Sequence, residues 1–120
     1  MYAQLKQEGT YTPDALMAGD SSDVVVKKVI VLAGQVLARG AVLGKVTASG
    51  KVLLSAAAAA DGSQVPDAIL ADDNVDASAG DVEAMAYFSG PFNGAALTFG
   101  AGHTAASTFD ALRDKGIFIL

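Results

Sequence analysis

The pattern richest in chemistry is Asp72-x-Asn74-x-Asp76 followed by Glu83, which sets oxygen donors at the first, third, fifth and twelfth positions of a calcium-binding loop. A hard cation needs carboxylate and amide oxygens at that spacing. The loop also needs a glycine at its sixth position for the sharp turn and a helix on either side. Ala77 stands at the sixth position, and the flanks are strand formers. An acidic hairpin loop accounts for Asp72, Asn74, Asp76 and Glu83 without a metal, so no metal and no cofactor are expected.

His103 is the single histidine, so a two-histidine metal motif is excluded and any catalytic triad would depend on this one ring. Its setting, Gly100-Ala101-Gly102-His103-Thr104, is a turn leading into a helix, with no serine elbow or base-orienting motif beside it. The glycines do not make a phosphate cradle, because the Lys-Ser/Thr of a P-loop and the later glycines of a dinucleotide fingerprint are missing. Glu83-Ala84-Met85-Ala86 is superficially like the hairpin of biotinyl and lipoyl carrier domains. Ala86 occupies the place of the modified lysine, and a Met and aromatic strand facing the core is the simpler expectation. The 13 acidic residues form no local glycosidase pair and read as solvated loop charges. No enzyme is expected.

The elements that would position these residues belong to one domain, since a chain of 120 residues has little to spare beyond a single core. Hydrophobic residues make up 52%, but Ala supplies much of that, so the core must come from the Val, Leu, Ile and Phe clusters and an oligomer would add buried surface. A net charge of −5 with scattered lysines and arginines disfavours direct nucleic-acid binding. There are no cysteines, and no apolar run approaches the ~20 residues of a membrane helix. The amino-terminal MYAQLKQEGTY lacks the basic start and apolar run of a signal peptide, so a soluble chain synthesised in the cytoplasm is expected, with no membrane partner.

Residues 1–23 form a polar arm broken by Gly9, Pro13, Gly19 and Asp20-Ser21-Ser22-Asp23. Its apolar residues are too widely spaced for a helical face and suit anchors on a partner. Residues 24–120 are one mainly β domain. VVVKKVIVL (24–32) is a strand, and Gly34, Gly40 and Gly44 cut the next stretch into short pieces. Val42–Thr47 and Lys51–Ser55 bracket Ala48-Ser49-Gly50 as a bulged hairpin. The five-alanine tract 56–60 suits a helical turn or a loop. Pro66–Ala71 and Val82–Phe88 are strands, Ser89–Gly94 is a turn, and Ala95–Phe99 is a further strand. One short helix runs from Thr104 to Lys115, capped by Thr104, with Phe109 and Leu112 on a shared face and Gly116 as its stop. The apolar end Ile117–Leu120 is expected to be buried, as a strand or at a subunit contact.

Four stretches in order carry a resemblance: Thr47–Leu54, with Gly-Lys in a hairpin; Asp67–Ala71, an Ala-Ile-Leu strand; Ala86-Tyr87-Phe88-Ser89-Gly90-Pro91-Phe92-Asn93, aromatic-x-Ser-Gly-x-Phe within it; and Leu112–Leu120. Together, over about residues 40–120, they resemble the head decoration proteins of lambda-like phages, the protein D family. The resemblance implies a β-clip-like or barrel-like domain with an extended amino-terminal arm. It implies a homotrimer on the outer surface of the expanded head, at three-fold and quasi-three-fold positions, stabilising the shell against the pressure of packaged DNA. The partner would be the major capsid protein of the phage head. Tyr2, Leu5, Tyr11, Pro13, Leu16 and Met17 would then be capsid-binding arm residues, although this arm lacks the Pro/Ala/Thr-rich composition of lambda-type members. Phe88, Phe92, Ile117, Phe118 and Ile119 are candidates for the core or the trimer contact, and periodicity does not separate the two roles. The alternative is a small β-barrel carrier or ligand-binding module.

Overall fold

The computed structural model describes Leu16 and residues 24–120. Its strands are β1 (Val25–Val31), β2 (Val36–Leu37), β3 (Val42–Lys45), β4 (Val52–Leu54), β5 (Pro66–Leu70), β6 (Val75–Asp76), β7 (Val82–Phe92) and β8 (Ile117–Ile119). A 3-10 turn, Gly94–Ala96, and one helix, α1 (Ala105–Asp114), lie between β7 and β8. The fold is mainly β with one carboxy-terminal helix, as expected. Among the described residues no helix is long and apolar enough to cross a membrane.

Five strands close into a barrel in the order β1-β4-β3-β5-β7 and back to β1. The ladders are antiparallel except β1 with β4, which run parallel at Val31 and Val52. β2 and β6 pair separately, Val36 with Asp76 and Leu37 with Val75. The expected hairpin is present: Lys45 faces Val52, and Gly50 takes the left-handed conformation (φ +75°) in the loop.

The barrel has two apolar faces. Alternate side chains on a strand point to opposite sides, so Leu43 of β3 and Ala68 and Leu70 of β5 fill the interior with Val29, Val31, Val52, Ala84 and Ala86. Val42 and Ile69, one residue out of phase, point outward into a second cluster with Leu16, Phe92, Leu97, Leu112, Ile117 and Ile119. Strands covered on both faces read as unbroken apolar runs, which is why Ala68-Ile69-Leu70 shows no alternation. α1 and β8 supply the outer cover.

Several expected elements differ. Ser89–Gly94 is not a turn: β7 continues to Phe92 and changes partners on the way. Val25 faces Ser89, after which Gly90, Pro91 and Phe92 run parallel to Ile117, Phe118 and Ile119. Gly90, at φ +133°, provides the bend, and its N–H donates to the Gly116 carbonyl. Ala95–Phe99 is not a strand either, because the Asn93 side chain accepts from the Ala95 N–H and winds the chain into the 3-10 turn. The alanine tract forms turns and no helix.

α1 starts at Thr104, which accepts from the Ser107 N–H while the Ser107 hydroxyl accepts from the Thr104 N–H, a reciprocal capping box. Its buried residues are Thr108 and Leu112, one turn apart; Phe109 lies beside that face and is exposed. Met85 also points outward, since the inward positions of β7 belong to Ala84 and Ala86. The carboxy-terminal tetrad divides by strand parity: Ile117 and Ile119 are buried, while Phe118 and Leu120 are 44% and 71% exposed.

The loop 55–63 lies against the barrel so closely that a Cβ on Gly44 would sit 1.9 Å from the Ser63 carbonyl oxygen. Gly44→Ala is expected to cost about 3 kcal/mol through forced backbone movement. Gly80→Ala, whose Cβ meets nothing within 4 Å, should be neutral or slightly stabilising. Urea unfolding of the two variants against the parent measures both.

Candidate interaction site

The candidate metal residues are spent separately. Asp72, just after β5, accepts the Met85 N–H at 2.9 Å. Asp76, on β6, accepts the Ser78 N–H at 3.0 Å. Glu83, on β7, stands 3.5 Å from the Lys28 Nζ on the neighbouring strand. Asn74 takes a left-handed conformation (φ +52°) in the link between β5 and β6, strands that belong to different sheets, so it serves that change of direction. Among the described residues no group of three or more His, Cys, Asp or Glu side chains is placed to hold a metal ion.

His103 is likewise used for architecture. Its Nε2 lies 2.9 Å from the Gln64 carbonyl oxygen and so donates to it, tying the turn before α1 to the loop after β4. The two buried serines nearby donate to structural acceptors: Ser55 to the Ser63 carbonyl at 2.7 Å, and Ser63 to the Asp61 carboxylate. Each buried hydroxyl therefore has its partner within the loop. Ala86, at the position a carrier domain would give to its lysine, is wholly buried inside the barrel.

The core-or-contact candidates now separate. Phe92 and Ile117 are fully buried and Ile119 nearly so, all in the outer cluster. Phe88 is partly buried against the barrel interior, with the Lys27 ammonium 5.8 Å from its ring centre. Phe118 is exposed. It faces Pro91 on β7, two residues beyond Ser89, which pairs with the exposed Val25. The start of β1 and the middle of β8 thus both pair with the stretch Ser89–Pro91 of β7. Exposure at Val25 and Val26 was not legible from the residues, because an all-valine strand start carries no polar alternation.

Of the arm residues, Tyr2, Leu5, Tyr11, Pro13 and Met17 lie outside the described residues. Leu16 is described and is 2% exposed, with its carbonyl accepting the Asn93 N–H at 2.7 Å. Leu16, in the short run Ala15-Leu16-Met17-Ala18 between Asp14 and Gly19, has no periodic partner to betray such a role.

A small closed barrel with an outer apolar layer covered by one carboxy-terminal helix defines a mainly β domain. Residues 5–117 match the family model of the bacteriophage lambda head decoration protein D. The chain therefore belongs to the bacteriophage lambda head decoration protein D family, structural proteins of the viral capsid. A comparison with curated proteins finds no match.

Three carboxylates are held below the ordinary range. Asp81 is lowered first by the Lys51 ammonium at 2.6 Å and then by the Ala33 N–H. Asp61 is lowered by the Ser63 hydroxyl and N–H, and Asp76 by the side chain and N–H of Ser78. A depressed carboxyl stabilises the fold above its unfolded value, and that contribution is lost as pH falls through the lower folded value. The melting temperature should therefore be flat from neutral pH down to about 4 and fall below it. Asp81→Asn should make the fall shallower, as thermal melts from pH 7 to 2.5 would read. In the same assay millimolar calcium is expected to leave the melting temperature unchanged, since the Asp72, Asp76 and Glu83 oxygens have other partners.

Proposed function

We propose that this protein is a non-enzymatic, trimeric cement on the outside of the expanded phage head. It sits at three-fold and quasi-three-fold positions, where residues 1–23 bind the major capsid protein. The observation that carries this reading is the family match across residues 5–117. The barrel supports it as a rigid body from which three arms can project. The net charge of −5 suits a partner other than packaged DNA.

Three arms on one trimer raise each other's effective concentration, so weak single contacts add up to firm binding. A trimer that binds the expanded lattice better than free or unexpanded subunits stabilises the lattice by that difference in affinity. This is how a small protein with no chemistry of its own resists internal pressure. In this proposal Phe118, with Val25 beside the same stretch of β7, belongs to the trimer contact. Phe92, Ile117 and Ile119 hold the subunit together.

Size-exclusion chromatography with light scattering should give three chain masses for the free protein, and co-elution when it is mixed with expanded shells. Deleting residues 2–14 keeps Leu16 and should leave a folded trimer that no longer binds. A monomer, or undiminished binding by the truncated chain, would refute the trimer or the arm assignment respectively.

A further inference from the structure

We propose that Leu16 is the anchor that fixes the working length of the capsid-binding arm, an inference that rests on the reading of residues 1–23 as that arm. The Leu16 side chain is buried in the outer cluster with Val42, Ile69, Phe92, Leu97 and Leu112. One of its methyl carbons would stand 3.5 Å from a Cβ at Gly40. Its backbone is tied as well, because the Leu16 carbonyl accepts the Asn93 N–H at 2.7 Å. Asn93 is itself a junction: its side chain accepts the Ala95 N–H and its carbonyl accepts the Ala96 N–H. The socket is thus built from β3, β5, the end of β7, the residue after the 3-10 turn and α1.

Anchoring at Leu16 changes how the arm searches for its partner. Fifteen residues precede Leu16, whereas 23 precede Val24 at the head of β1. Beyond its optimum, the effective concentration of a tethered segment falls roughly as the −3/2 power of tether length. Shortening the tether from 23 to 15 residues raises it about twofold per arm. Two further arms engage after the first, so the trimer gains about fourfold. Leu16 is therefore a positioning residue for capsid binding and touches only its own domain.

The test inserts a Gly/Ser segment of about 15 residues at one of two places in the full-length chain, leaving every core residue intact. Between Asp14 and Ala15 it doubles the free arm and should weaken trimer binding to expanded shells about eightfold. Between Ser21 and Ser22 it lies behind the anchor and should leave binding unchanged. Equal weakening by both insertions, or by neither, overturns the anchor. A parent protein that fails to bind shells instead rejects the decoration reading, and the inference falls with it. Amide exchange at Asn93 gives a readout without shells. It should be slowed in the full chain and fast in a chain lacking residues 1–23; equal rates in the two also overturn the proposal.

Discussion

A closed barrel of only five strands encloses little volume, and that restriction shapes the rest of the molecule. Its interior takes Ala41, Ala68, Ala77, Ala84 and Ala86 among the valines and leucines, because larger side chains on every strand would not fit. Small inward residues bury little apolar area, so one core is too thin to hold the domain. The deficit is made up outside the barrel, where Val42 and Ile69 turn their side chains outward and must be covered. α1, β8 and Leu16 provide that cover. The alanine-rich composition and the two-layer build are consequences of one geometric limit.

The second layer depends on how β7 ends. At eleven residues it is the longest strand, and it serves the barrel with its first half and the outer cluster with its last three residues. Gly90 makes this division possible, because its backbone bends where no side chain has to be accommodated. Phe92 then lands in the outer cluster, with its ring tilted against Tyr87 at 5.4 Å between centres. The polar loops lean on the same frame: Ser55 and Ser63 hold the 55–65 loop together from within, and His103 fastens it to the turn before α1.

Much of this was legible in the sequence, and the failures have physical causes. Thr104, Ser107 and Gly116 announce the helix because capping is local chemistry. Gly50 announces the hairpin for the same reason, and β-branched runs mark β1, β5 and β7. Ser89-Gly90-Pro91 carries every mark of a turn, yet it is held extended by β8, a partner some 25 residues later that no local rule includes. Phe109 and Met85 were expected inside on hydrophobicity alone; Thr108, Ala84 and Ala86 took those positions because the space is small. At the candidate site, the resemblance was visible in the order of short motifs. The division of Ile117–Leu120 into buried and exposed residues needed the strand, whose parity decides it. Leu16 was unreadable as a core residue, since its partners lie 24 or more positions away.

The continuity of β7 also has a mechanical meaning. A load applied at Leu16 crosses to Asn93 through their hydrogen bond and meets β7 end-on. Along β1 the strand is held by a ladder that spans Val25–Val31, with bonds perpendicular to the strand axis. A load along the axis strains those bonds together, in shear, instead of peeling them one at a time. The same strand that joins the two layers thus meets an axial load with its whole ladder at once.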